Sequence, residues 1–318
     1  MQLPPSFNLP KSQLHCYGES IYCTASDLLT ECGRGGTPMQ RFLSVVAWSV
    51  SMIRPLEFGV APYNPILGET HHVSRNSLNV VVEQVCHHPP VTALHATDEK
   101  EGVEIIWCQS PLPKFYGTHI ETEMRGKINL KLRNAKETYQ IDSPNLVIRF
   151  LPAPSVDWIG NVSIKCRESG LEARISYGSN SFFRLPSSYR SVRGKILASS
   201  RTVYEVKGHW DRIVTVTDAV GKRTVIYDAK TSISNLKTPV VTDKKESTVV
   251  WGEVSRGILE KNWSRAREAK AAIEEKQRRE MGGMEWRPKY FTFTPSDDNP
   301  WECSPILPNV PPAPITIE

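Results

Sequence analysis

Nowhere in the 318 residues do about 18 apolar positions run together, and no basic segment followed by an apolar one opens the chain. The expectation is a protein that neither spans a membrane nor carries a secretory leader. Cysteine is sparse and scattered: Cys16, Cys23, Cys32, Cys86, Cys108, Cys166 and Cys303 make an odd seven, with no C-x-x-C pair. Neither a disulfide framework nor a zinc ribbon is expected, and a reducing cytosol suits this usage. The N-x-S matches at Asn161 and Asn262 carry no glycosylation weight without secretion. One-signed charge is missing too. The 39 Lys and Arg exceed the 34 Asp and Glu by 5, which falls short of a nucleic-acid footprint but suits mildly anionic surfaces.

Catalytic templates are lacking as well. There is no G-x-S-x-G elbow, no phosphate loop of the G-x-x-x-x-G-K-[ST] type, no G-x-G-x-x-G after a strand and no H-E-x-x-H. The expectation is a protein without covalent chemistry, cofactor or resident metal. Combining His71, His72 and His95 with His87 and His88 into a metal centre is the weakest reading, because carboxylate partners at helical or hairpin spacing are missing.

What is present is an ordinary globular composition, 39% hydrophobic and 23% charged, long enough for one large domain or two modest ones with room for a cavity. From about 78 to 227 the apolar residues come in short β-branched or aromatic runs. Clear strands are expected over 78–85, 103–108, 146–151, 162–166, 171–177, 212–216 and 223–227, with turn chemistry at 98–102, 167–170 and 218–222. So many consecutive strands without helical periods need closure to hide their edges, and a barrel is favoured over a sandwich. Helices are expected at the two ends, over 39–52 after Thr37 and Pro38, and over 255–281, closed by Gly282 and Gly283. The proline-rich stretch after Trp286 reads as an extended surface strap or a disordered end.

Three stretches could carry function. Glu83 to Pro90 reads EQVCHHPP, in which the two prolines end a strand and hold His88 extended. Neighbouring histidines in extended chain point to opposite sides and are poorly placed to chelate one metal. A structural role, metal binding and anion recognition all remain open for them, the last because a phosphate favours protonated imidazole. Ala61 to Thr70 reads as a rigid proline-bounded loop in which Asn64 offers an amide side chain, or as a plain structural turn. Lys270, Glu274 and Arg278 recur at i, i+4 and i+8 along one helical face. Glu274 could align both cations to grip a phosphate, although a solvated salt-bridge ladder has the same spacing.

Residues 83–90 closely resemble the EQVSHHPP fingerprint of the oxysterol-binding-protein-related family, and Tyr63 to Glu69 is similar to its NPxLGE segment, in the same order and separation. The resemblance implies a mainly β protein with flanking helices: a large antiparallel β-barrel enclosing a hydrophobic lipid tunnel. It divides the chain into a lipid-binding domain over 1–291 and a proline-rich tail over 292–318. Within the domain, 1–55 holds an N-terminal segment and helices, 56–230 the barrel and 231–291 a C-terminal helical region. It further implies a cytosolic carrier, peripheral at intracellular membranes or contact sites, that extracts one lipid and exchanges phosphatidylinositol 4-phosphate against a sterol or phosphatidylserine. A lipid sensor or scaffold without bulk transfer is the alternative. His87 and His88 would contact the 4-phosphate, Asn64 would hold the headgroup, and Lys270, Glu274 and Arg278 match the family's terminal-helix pattern. Three departures stand out: Ala61 where a lysine is usual, Cys86 where serine is usual, and Met1 only two residues before Leu3, where relatives place a lid helix.

Overall fold

The computed structural model describes residues 4–23, 28–178, 189–231, 243–280, 286–294 and 302–317. A short parallel pair, β1 (Asn8–Ser12) with β2 (Ala61–Tyr63), brackets three N-terminal helices, α1 (Gln13–Tyr22), α2 (Leu28–Arg34) and α3 (Pro38–Ser51). The main sheet begins with β3 (Thr70–Arg75), β4 (Leu78–Cys86), β5 (Val91–Asp98), β6 (Val103–Phe115), β7 (His119–Arg125) and β8 (Lys127–Leu132). It continues with β9 (Glu137–Asp142), β10 (Asn145–Arg149), β11 (Ser155–Cys166), β12 (Leu171–Tyr177) and β13 (Ser191–Ala198). Its last meander strands are β14 (Arg201–His209), β15 (Ile213–Asp218) and β16 (Arg223–Asp228). Three C-terminal helices follow, α4 (Ser247–Val250), α5 (Gly252–Leu259) and α6 (Trp263–Glu280), then strands β17 (Phe291–Thr294), β18 (Glu302–Pro305) and β19 (Ile315–Ile317).

Among the described residues fifteen strands form one sheet running from β16 back through the meander to β3, with β19 added in parallel beside β3. The architecture is the expected one: mainly β, barrel-like, with helices at both ends of the chain. The sheet forks. The first half of β6 pairs with β8 and its second half with β7, while β11 pairs with β10 at its start and β9 at its end. Past Gln109 the partner of β6 among the described residues is β7 alone, so the missing amide donors of Pro111 and Pro113 have an unpaired side to face. That explains why β6 runs on to Phe115 rather than stopping near Cys108. At the fork a Cβ on Gly126 (φ 115°) would collide with the Cys108 carbonyl oxygen, so only glycine fits.

Local chemistry accounts for the helices. Thr37 and Gln40 form a reciprocal capping box at the start of α3, with Pro38 in the first turn. Phe42, Val46 and Trp48 of α3 are buried in the main core, where Phe42 meets Tyr139 of β9 with ring centroids 6.1 Å apart. Arg41 adds a bidentate bond to Glu137 at 2.6 and 2.8 Å. The single helix expected over 255–281 is two. Lys261 is left-handed (φ 55°), Asn262 accepts from the Arg265 amide as a cap, and Gly257 lies flush against the Ala266 backbone, so α5 and α6 fold back on each other. Met281, Gly282 and Gly283 lie outside the described residues.

The proline-rich tail is a strap. The amides of Lys289 and Tyr290 donate to Glu83, Val310 donates to Thr97 and Ala313 to Ser74, before β19 joins the sheet. Phe291, Val310 and Ile315 are buried along it, each worth about 1.5–3 kcal/mol of apolar burial. Cys303 of β18 is bonded to Cys108 of β6, a pairing that no cysteine spacing indicated. Among the described residues no helix is long and apolar enough to cross a membrane.

Candidate functional site

The loop over 63–69 is built around a buried carboxylate. Glu69 is fully buried and accepts from the Ile66 amide at 3.0 Å, Ser247 Oγ at 2.7 Å and Trp251 Nε1 at 2.9 Å. Burial raises its pKa, and these donors pull against that rise. Tyr63 stacks on Trp251 with centroids 4.5 Å apart, and its hydroxyl meets Ser255 at 3.1 Å. Ile66 packs with Val254 and Ala266, so the loop is clamped between the barrel and the α5–α6 hairpin. Asn64 is left exposed at the crest, and among the described residues its amide has no hydrogen-bond partner.

Backbone bonds tie this loop to the histidines. Gln84 N–H donates to the Glu69 carbonyl, and Gly68 N–H donates to the Gln84 carbonyl. The Gln84 side chain accepts from Thr92 Oγ1 at 2.6 Å and donates to the Cys86 carbonyl at 2.8 Å, bracing the β4–β5 reversal. Residues 87–90 form that turn instead of extended chain, because the sheet reverses direction between Cys86 and Val91. The two rings consequently sit together, centroids 4.5 Å apart and steeply tilted, instead of pointing apart. His88 is exposed. His87 is half-buried with the Pro65 carbonyl favouring its charged form, and its Nδ1 is buried with no partner among the described residues. Desolvation, reinforced by His88, lowers the His87 pKa.

On α6 the ladder expected through Glu274 is not formed. Lys270 donates from Nζ to Asn8 Oδ1 at 2.8 Å, and Arg278 Nε to the Glu274 backbone carbonyl at 3.3 Å. Among the described residues the Glu274 carboxylate has no ion pair, although its charge raises the Lys270 pKa against the larger lowering by burial. Asn8 also donates to the Ala61 carbonyl at 3.1 Å, which brings the Lys270 cation beside the position where the resemblance expects lysine. Arg278 is exposed, one helical turn beyond Glu274.

Beneath these groups lies a cavity of about 670 Å³, within the range of small-molecule sites. Tyr17, Trp107, Ile128, Ile141, Val162 and Tyr177 contribute apolar wall, and Pro62, Asn64 and Pro90 belong to the same lining. The hydrophobic space therefore reaches both the loop and the histidine turn. Trp107 Nε1 and Gln109 Oε1, on residues 8% and 3% exposed in its wall, have no partner among the described residues. Alternation along a strand with buried outer and inner faces signals such positions only weakly, and the sequence did not reveal them.

His71, His72 and His95 serve elsewhere. His71 bonds Tyr22 and Glu246, His72 reaches the Pro311 carbonyl, and His95 pairs with Glu104.

The arrangement of a barrel-like sheet around an apolar cavity, with polar segments gathered at one edge, is that of a lipid-binding domain. The chain belongs to the oxysterol-binding protein family, whose model matches residues 1–256. It is 51% identical to oxysterol-binding protein-related protein 4B of Arabidopsis thaliana over 99% of this chain and 86% of that protein, and 50% identical to protein 4A over the same shares. The fold matches the Osh1 ORD domain crystallised with cholesterol, with a TM-score of 0.77 at 21% identity over 92% of this chain and 79% of that one. It also matches the Osh3 ORD of Saccharomyces cerevisiae in complex with PI(4)P, with a TM-score of 0.74 at 21% identity over 96% and 85%.

Proposed function

We propose that this protein extracts one lipid at a time and carries it between membranes, exchanging phosphatidylinositol 4-phosphate against a sterol or phosphatidylserine without covalent chemistry. The observation that carries this reading is the single cavity wall that passes through Pro62, Asn64 and Pro90, beside His87 and the α6-packed loop. A lipid leaving a bilayer must shelter its chains from water at about 0.8 kcal/mol per methylene. The apolar cavity supplies that shelter, and specificity then falls to the headgroup at the edge.

In this reading His87 and His88 donate to the 4-phosphate, and the arriving dianion draws a proton onto His87. Asn64 offers its free amide to the inositol ring, and Lys270 supplies a positive charge held by Asn8 beside the Ala61 end of the same loop. Glu274 and Arg278 lie farther along α6 and contribute to the surrounding field. A sterol would use the cavity alone, with its hydroxyl meeting Gln109 or Trp107. The two cargoes compete for one volume. Docking is peripheral, on anionic membrane surfaces of the cytosolic side. The lipid-binding domain is taken to span 1–291, with the tail its outer strap.

Extraction from liposomes tests the assignment. His87→Ala with His88→Ala should abolish uptake of phosphatidylinositol 4-phosphate and leave sterol uptake within about twofold. Undiminished phosphoinositide uptake rejects the headgroup site. Binding without accelerated donor-to-acceptor movement would make the protein a sensor.

A further inference from the structure

Three of the seven cysteines meet at one place. Cys86 at the end of β4, Cys108 in β6 and Cys303 in β18 share an apolar patch with Val81, Val85 and Phe291, between the sheet and the strap. Cys108 and Cys303 are bonded across 195 positions with Cα atoms 5.7 Å apart, a separation that two cysteines bridge without backbone movement.

The strap has anchors besides this bond. Glu83 holds the Lys289 and Tyr290 amides, Thr97 and Ser74 hold those of Val310 and Ala313, and β19 pairs with β3. With the bond open, those contacts keep the two sulfurs opposed. Opening leaves two thiols in an apolar patch, where cysteine is well tolerated. Closing covalently joins the strap to β6 between Trp107 and Gln109, which line the cavity, and the strap starts where Trp286 covers Gly68 of the Asn64 loop.

We propose that Cys108 and Cys303 form a reversible dithiol–disulfide modification site, closed by a low-molecular-weight disulfide of the glutathione class, that clamps the C-terminal strap to the cavity wall. Cys108 is the more exposed partner and reacts first. Its thiolate attacks one sulfur of the oxidant, whose S–S bond breaks and releases one thiolate. The Cys303 sulfur then displaces the second from the mixed disulfide. The protein loses two electrons and two thiol protons, one protein S–S bond forms, and the oxidant departs as two thiols carrying those protons. None of this requires a lipid in the cavity.

The test uses the full chain equilibrated in glutathione buffers of graded reduced-to-oxidised ratio, quenched in acid, alkylated and peptide-mapped. A single reversible transition is expected, with a Cys108–Cys303 cross-linked peptide that survives Cys86→Ser and vanishes in Cys108→Ser and Cys303→Ser. In the oxidised wild type, hydrogen exchange at Lys289, Tyr290, Val310 and Ala313 should slow by about tenfold or more. Three results overturn the proposal: both thiols alkylated in native protein at every ratio, closure through Cys86 instead, or a bond that no ratio opens while the protein stays folded. The wild-type mapping decides the matter even if a serine variant folds poorly.

Discussion

Lys270 donates from its ammonium to Asn8 Oδ1 at 2.8 Å, and the same Asn8 side chain donates to the Ala61 carbonyl at 3.1 Å. A cation on the last long helix is thereby placed by a residue 262 positions earlier, beside the loop that carries Asn64. Asn8→Ala should lower phosphatidylinositol 4-phosphate affinity about three- to tenfold, by releasing Lys270 from that position, and leave sterol affinity unchanged. Lys270→Ala should cost more than Arg278→Ala, whose exposed guanidinium is bonded to its own helix. Liposome titrations of the three variants check the order; equal losses at 270 and 278 would reject it.

Glu69 is the keystone of the loop, and its replacement strands three buried donors. Glu69→Ala should destabilise the fold by about 2–4 kcal/mol, and Trp251→Phe, which removes one of those donors, by about 1 kcal/mol. Urea unfolding measures both.

Gln109 and Trp107 present unpartnered polar atoms to the cavity. Gln109→Leu should weaken sterol binding about two- to tenfold through a lost hydrogen bond, with stability equal or higher because a buried orphan is removed. A sterol-binding titration alongside a melt checks both halves. Unchanged sterol affinity would place the hydroxyl elsewhere.

Buried between α1, β3 and α4 is a group of titratable residues with opposite linkages. His71 is bonded to Glu246 at 2.9 Å and Tyr22 at 2.8 Å, and His15 lies 4.1 Å from it ring to ring. Burial drives both histidines from 6.5 down to about 3 and Glu246 from 4.5 up to about 8. Below 6.5 the unfolded histidines bind protons that the folded ones refuse, so their contribution to stability falls as pH drops from 6.5 toward 3. Between 6.5 and 8 the folded Glu246 holds a proton that the unfolded one has lost, so stability falls as pH rises over that window. Chemical unfolding across pH 4–9 should show both limbs. Glu246→Gln should flatten the upper one, and a persistent decline would assign it to another group.

The motifs and several strands were legible because their determinants are local. Thr37 and Pro38 ahead of α3, the turn residues at 98–102 and 167–170, and the β-branched runs of β4 and β12 each act within a few positions. The histidine pair was visible as chemistry but misread as geometry, since extended chain and a tight reversal place the same two rings differently. The α5–α6 break was encoded in Asn262, whose capping signal was masked by the helix-forming residues on either side.

Composition and short-range pattern settled the mainly β character, the end helices and the two signature segments, because backbone propensity and side-chain period are read over a few neighbours. Folding in three dimensions settled the rest: which side chain holds Lys270, where the cavity wall meets Asn64 and Pro90, and that Cys108 finds Cys303. Those pairings join positions far apart in the chain. Their energy comes from burial and from partners that exist only once the sheet has formed, so no window along the sequence contains them.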